Sequence, residues 1–160
     1  MEITLKQRGL TKDEKLRYTY VLAQLYEESG QNSLALEKYK GVTKLRPTYE
    51  MAFNARVSMA EVYESGEADS NDLKKLLGKM LKDSKNLEYL DQIYFALGNI
   101  AMEEGKREEA IEYYQKSVSS SIRNQYQKGY SSLTLAEIYY EAPDYMLSAA
   151  YYDSAVSFLD

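Results

Sequence analysis

The chain predicts an all-α fold, a solenoid of about four helix–turn–helix repeats, and three observations carry that expectation. Leu22-Ala23, Tyr26, Gly30, Ala35, Tyr39 and Val42 recur with identical spacing as Leu97-Gly98, Ala101, Gly105, Ala110, Tyr114 and Ser117. A third copy follows as Leu135-Ala136, Tyr139, Ser148, Tyr152 and Ala155, with Pro143-Asp144 replacing the turn glycine. Each copy holds two helices' worth of apolar residues at helical spacing. Self-similarity with a basic unit of roughly 34 residues marks stacked helix pairs.

Taken in order, Thr11-Lys12-Asp13-Glu14 is a capping box that starts a helix running to about Glu28. Tyr18, Leu22, Leu25 and Tyr26 fall on its apolar side. Ser29-Gly30-Gln31-Asn32 is the turn, with Gly30 closing the first helix at positive φ and Asn32 placed to cap the second. The second helix uses Leu36, Tyr39, Val42 and Leu45 and stops at Arg46-Pro47. The next pair is degenerate. Phe53, Val57 and Ala60 keep a helical rhythm, residues 66–71 form a longer polar turn, and Leu73, Leu76, Leu77, Met80 and Leu81 make the next stripe. The extra length of this unit belongs to that turn and to the connection over residues 82–90. The third pair places Tyr94, Leu97, Gly98 and Ala101 on one helix and Ala110, Tyr113, Tyr114 and Val118 on the other. Asn124 then caps a further helix, with Gln127 at its third position. The repeats fall at 16–49, 50–90, 91–124 and 129–160 of one domain, after a stub and cap at 1–15.

Composition narrows the function. The net charge is −5 and no Lys/Arg block stands out, which argues against nucleic-acid phosphates as partner. No stretch approaches a membrane-spanning length, so no direct insertion is expected, and the opening segment, Met1 to Leu10, has no apolar core of a signal peptide. Cysteine and histidine are both missing, which removes thiol chemistry, the usual zinc ligands and the commonest neutral-pH base. No catalytic residue, metal or cofactor is therefore assigned. Glu27-Glu28, Glu103-Glu104 and Glu108-Glu109 are neighbours in sequence, and neighbours on a helix do not face one point. The 17 tyrosines suit helix packing, because the ring fills the interhelical gap while the hydroxyl reaches water.

The repeated residues resemble the tetratricopeptide repeat over roughly residues 16–160. With the first unit starting at Leu16, its pattern is met by Leu22, Ala23, Tyr26, Gly30, Ala35, Tyr39, Val42 and Pro47. With the third starting at Asp91, it is met by Tyr94, Leu97, Gly98, Ala101, Gly105, Ala110, Tyr114 and Ser117. The resemblance implies a right-handed superhelix, and Ala35, Gly98 and Ala110 are small where helices approach closely. Running segments at 17–26, 49–56, 91–98 and 151–156 are similar to the repeat region of SprE/PorW-like lipoproteins of Bacteroidetes. That likeness implies a segment of a larger, outer-membrane-associated periplasmic protein of the gliding-motility and type IX secretion apparatus.

The resemblance also implies a concave partner-binding face, built from Arg17, Tyr20, Gln24 and Glu27; Met51, Asn54, Ser58 and Glu61; Gln92, Phe95, Asn99 and Met102; and Tyr130, Leu133, Glu137 and Tyr140. Amides suit an extended peptide backbone and aromatics anchor side chains, so the expected ligand is a protein or peptide segment. Tyr20 and Gln24 replace the Lys and Asn that some such repeats use to clamp a terminal carboxylate. Two alternatives differ in class: a cell-wall glycan module stacking sugars on Tyr113-Tyr114, Tyr139-Tyr140 and Tyr151-Tyr152, and a regulatory repeat domain of a larger cytoplasmic protein. The last helix places Ser148, Tyr152, Ala155 and Leu159 toward its partner helix, and Ala149, Tyr151, Val156 and Phe158 around the rest. So apolar a circumference predicts a neighbour in the native protein, and self-association of this chain through 145–159, as a symmetric dimer.

Overall fold

Residues 9–64 and 70–159 are described by a computed structural model, and its first helix starts where the capping box places it. The Thr11 hydroxyl accepts from the Glu14 amide at 3.3 Å, and the Glu14 carboxylate accepts from the Thr11 amide at 3.0 Å, opening α1 (Lys12–Glu28). Gly30 has φ +70°, and the amides of Gly30 and Gln31 return to the carbonyls of Glu27 and Tyr26, closing α1. α2 (Asn32–Lys44) follows, but Asn32 does not cap it. Asn32 is already helical, and its side-chain amide donates to Glu64 at 2.7 Å. Arg46 then takes a left-handed conformation (φ +55°) before Pro47, and Thr48 caps α3 (Tyr49–Glu61) by accepting from the Met51 amide.

α4 (Ser70–Lys82) buries Leu73, Leu77 and Met80, as its stripe predicts. Ser70 and Asn71 belong to that helix and not to the preceding turn; the rest of the expected turn lies outside the described residues, as do most of the N-terminal stub and Asp160. The connection after α4 is structured. It forms a 3₁₀ turn (Ser84–Tyr89) pinned by the buried Asn86, whose side chain donates to the Met80 carbonyl at 2.8 Å. α5 (Leu90–Glu103), α6 (Arg107–Ser120), α7 (Gln125–Glu141) and α8 (Tyr145–Leu159) complete the described chain. Gly105 closes α5 at φ +71°, and Asn124 caps α7 through the Gln127 amide at 3.1 Å.

The chain packs as two units, one ending at Leu73 and one beginning at Lys74. In the first, α1 lies on α2 and α2 on α3. In the second, α5, α6, α7 and α8 each pack on the next in order. This nearest-neighbour pattern, with no strand among the described residues, is the all-α, helix–turn–helix repeat fold expected from the sequence.

The small residues sit where helices meet. Ala35 and Ala110 are fully buried, and a Cβ on Gly98 would lie 2.5 Å from Cε1 of Tyr114. A polar seam runs beside them. The Ser117 hydroxyl, on α6, donates to the Asp91 carbonyl and lies 2.7 Å from the Ser131 hydroxyl of α7. Asp91 itself is 1% exposed, and its carboxylate accepts from the Ser121 hydroxyl and the Gln92 amide. Burial raises the Asp91 carboxyl above the usual aspartate range, while these two donors and the Asn124 side chain pull it back.

Two expected faces are corrected. On α1, Leu22 is buried, but Tyr18 and Leu25 are 39% and 48% exposed. On α8, Ser148 and Ala155 meet α7 as expected, whereas Tyr152 is exposed and Leu159 only partly covered, by packing over Gly129. Tyr151 and Phe158, expected on the open side, fold back instead. Tyr151 stacks on Tyr139 (5.6 Å, 4°), and Phe158 lies under the Lys128 ammonium. The exposed large apolar side chains of α8 are therefore Tyr145, Met146, Leu147, Tyr152, Val156 and Leu159, and do not include Tyr151 or Phe158.

Candidate partner-binding site

In the first unit, Tyr20 of α1 and Met51 and Asn54 of α3 are the predicted inner-face residues that share a cavity. Tyr20, Thr48, Glu50, Met51 and Asn54 line a cavity of about 210 Å³. Tyr20 stands edge-on to Tyr39 of α2, with ring centres 5.9 Å apart, so α2 supplies the support beneath. The Tyr39 hydroxyl donates to the Glu27 carboxylate. Burial and then Glu27 raise the Tyr39 hydroxyl far above the ordinary tyrosine range, with Ser58 acting in the opposite sense. It stays a neutral donor.

The carboxylates around Tyr20 act on it with one sign. Burial raises Tyr20, and Glu27, Glu50 and Glu61 each raise it further. Glu61 is reached by solvent, yet the surrounding protein displaces enough water to raise its carboxyl, and Glu27 adds to the rise; Ser58 lowers it. Arg17 and Gln24 are exposed on α1, with Asn54 exposed on α3. The arrangement offers carboxylates for a cation, an amide for a backbone and a tyrosine ring for an alkyl stem.

In the second unit the predicted residues divide. Gln92, Asn99 and Leu133 are half-buried, and Tyr130 and Glu137 are exposed. Phe95 is not available for a partner, being 7% exposed. Tyr114 of α6 and Tyr130 of α7 close on it with ring centres 5.2 and 5.3 Å away. Asn99 is also engaged, accepting from the Tyr114 hydroxyl at 2.9 Å. Tyr126, unassigned by the sequence reading, extends this aromatic line into solvent, stacking on Tyr130 at 6.3 Å and 3°. Its i, i+4 spacing to Tyr130 is the signal that could have found it. Glu50 and the Tyr39 hydroxyl were missed as well. The repeat pattern assigns Tyr39 wholly to packing, although its ring packs while its hydroxyl holds the Glu27 carboxylate.

The tyrosine pairs do not form a platform. Tyr114 is core, Tyr139 and Tyr151 cover one another's faces, and only Tyr140 and Tyr152 are substantially exposed. The consensus-position member of the last pair, Tyr152, is the exposed one, reversing the expectation. Among the described residues, no group of three or more acidic side chains is placed to hold a metal ion. No described helix is long and apolar enough to cross a membrane.

A family model described as Tetratricopeptide repeat matches residues 91–121, the helix pair α5–α6. Comparison with curated proteins finds no match.

Proposed function

We propose that this chain, with its tetratricopeptide-type repeats, is a non-enzymatic protein-interaction scaffold whose first-unit hollow takes a peptide segment carrying a basic side chain. The observation that carries the reading is the cavity between α1 and α3 lined by Tyr20, Glu50, Met51 and Asn54, with Glu27 and Glu61 adding to the negative field felt at Tyr20. A lysine or arginine stem fits against the Tyr20 ring with its charge among the carboxylates. In this reading Asn54, on the wall of the same cavity, supplies an amide for the peptide backbone. At the finer level, we read the chain as a segment of a larger outer-membrane-associated periplasmic lipoprotein of a bacterial secretion or gliding-motility complex. The support is the likeness of the running segments at 17–26, 49–56, 91–98 and 151–156. Fractionation of source cells with an antibody against this chain tests the compartment.

A peptide array with matched Lys/Arg-bearing, neutral and acidic members tests the binding reading. Basic members are expected to bind, and Glu61→Lys should weaken them at least tenfold. Binding of the basic set should also strengthen as pH rises through the range where Glu61 loses its proton. Preferential binding of acidic peptides, lost in Arg17→Ala, would reverse the proposal.

The raised Glu61 carboxyl makes a separate stability prediction. A native pKa above the unfolded value means that the folded state holds the proton more tightly, so ionisation costs stability as pH rises through that window. Glu61→Gln, a permanent mimic of the protonated form, should be slightly more stable than wild type at neutral pH. Solvent screening at this exposed site keeps the gain below about 1 kcal/mol. The two proteins should converge as pH falls below the Glu61 pKa. Urea melts at several pH values would show it; a constant offset at all pH values would contradict it.

A further inference from the structure

The second unit carries a cavity of its own, away from the predicted inner-face residues. It opens between the 3₁₀ turn (Ser84–Tyr89) and the link from α6 to α7 (121–124), and holds about 260 Å³, several times the ~30 Å³ share of one water. Leu87 and Glu88 of the turn, Asp91 of α5, and Ile122, Arg123 and Asn124 of the link line it. Leu87 and Ile122 are 65% and 84% exposed, so two large apolar side chains stand at this opening and not in the core. Glu88 and Arg123 join the two sides at 3.4 Å, both largely in water. An ion pair so exposed holds weakly and opens at little cost.

Asp91 differs from the other lining residues. It is 1% exposed, yet it borders the cavity. Its carboxylate accepts from the Gln92 amide and the Ser121 hydroxyl, and the Asn124 side chain helps to hold it. All of these groups are neutral. Among the described residues no Lys or Arg forms an ion pair with it. The donors and the amino end of α5 offset part of its charge, but burial outweighs them and lifts the carboxyl above the ordinary aspartate range. A carboxylate so placed is short of positive charge.

The walls therefore select a ligand by its parts. An alkyl stem is covered by Leu87 and Ile122, and a cation at its inner end meets Asp91, with Glu88 as a second carboxylate at the rim. An anion would meet two carboxylates and one cation, Arg123, already engaged by Glu88. An uncharged apolar body would fill the walls and leave Asp91 uncompensated.

We propose that this cavity binds a primary ammonium on an unbranched alkyl stem, with the ammonium at Asp91 and the stem between Leu87 and Ile122. A free alkylamine and a lysine side chain of a partner protein share that chemistry.

The test is an amide-resolved NMR titration of the full chain with n-butylammonium, n-butanol, butyrate and lysine capped at both ends. n-Butylammonium should shift the amides of Leu87, Gln92, Ser121 and Asn124 saturably and bind about tenfold or more tighter than n-butanol, while butyrate leaves them unmoved. Asp91→Asn should lose about tenfold or more of that affinity. Should it fail to fold, Leu87→Ser and Ile122→Ser, both at exposed sites, should each weaken binding severalfold. Arg123→Gln, which takes a competing cation off the wall, should tighten it. Capped lysine binding as well as n-butylammonium would assign the cavity to a partner's side chain, and binding of n-butylammonium alone would assign it to a free amine; either supports the proposal. No saturable shift at these amides, n-butanol or butyrate binding as tightly as the ammonium, shifts confined to the first-unit hollow around Tyr20 and Asn54, or binding unchanged in both serine variants would each overturn it.

Discussion

Gly98→Leu should unfold the α5–α6 pair, at a cost of ~1–3 kcal/mol or more. A Cβ alone would stand 2.5 Å from Cε1 and 2.7 Å from Cδ1 of Tyr114, well inside any real contact. The ring has nowhere to go. It is 2% exposed, tilted against Phe95 on one side and held through its hydroxyl by Asn99. Relief therefore requires α5 and α6 to separate, which uncovers Ala101 and Ala110 as well. Ala110→Trp should act in the same way from the opposite helix. Thermal melts followed by circular dichroism would register both; an unchanged melting temperature would show that the close approach is not real.

Leu135→Ala should cost about 2–5 kcal/mol, the range for deleting a buried leucine and leaving the cavity unfilled. Leu135 is fully buried in the cluster where Phe95 of α5, Tyr114 of α6 and Ile138 of α7 meet. Because each helix packs mainly on its neighbours in sequence, damage there falls on one junction. Hydrogen exchange should show α7 and α8 losing protection before α1 and α2. Uniform loss of protection along the chain would mean that the repeats unfold as one block.

How much of this was legible follows from what sequence periodicity encodes. The helix pairs, their turns at Gly30 and Gly105, the capping box at Thr11 and the cap at Asn124 are local, and local chemistry decides them. The apolar side of α1 was legible too; what covers it was not. A stripe containing Tyr18 and Leu25 reads the same whether or not another helix lies on it. Phe95 was misassigned because a position that faces inward in the repeat pattern becomes core when Tyr114 and Tyr130 close over it, and that depends on residues from two other helices. Tyr151 and Tyr152 exchange roles for a similar reason: the stacking partner, Tyr139, belongs to α7. The hollow of the first unit was half legible. Tyr20 and Asn54 are on its walls and Glu61 is an electrostatic neighbour of Tyr20, while Glu50 and the Tyr39–Glu27 bond emerge only from the packed helices.

The hydroxyl pair at Ser117 and Ser131 bears on how such an array can be rearranged. Stacked helix pairs invite shuffling, since each looks like a cassette. Yet this junction carries two polar groups sealed from water and bonded to one another, with Asp91 and Gln127 as their further partners, and losing such a buried bond costs about 1 kcal/mol. A cassette whose first helix brings the bulk of Tyr18 to that spot crowds Ser117 and offers its own hydroxyl too far out along the ring. The order of the cassettes is thus written into the joints between them: transplanting the first unit behind the third should give a poorly folded chimera, and a Tyr18→Ser change in the transplanted helix should restore the fit.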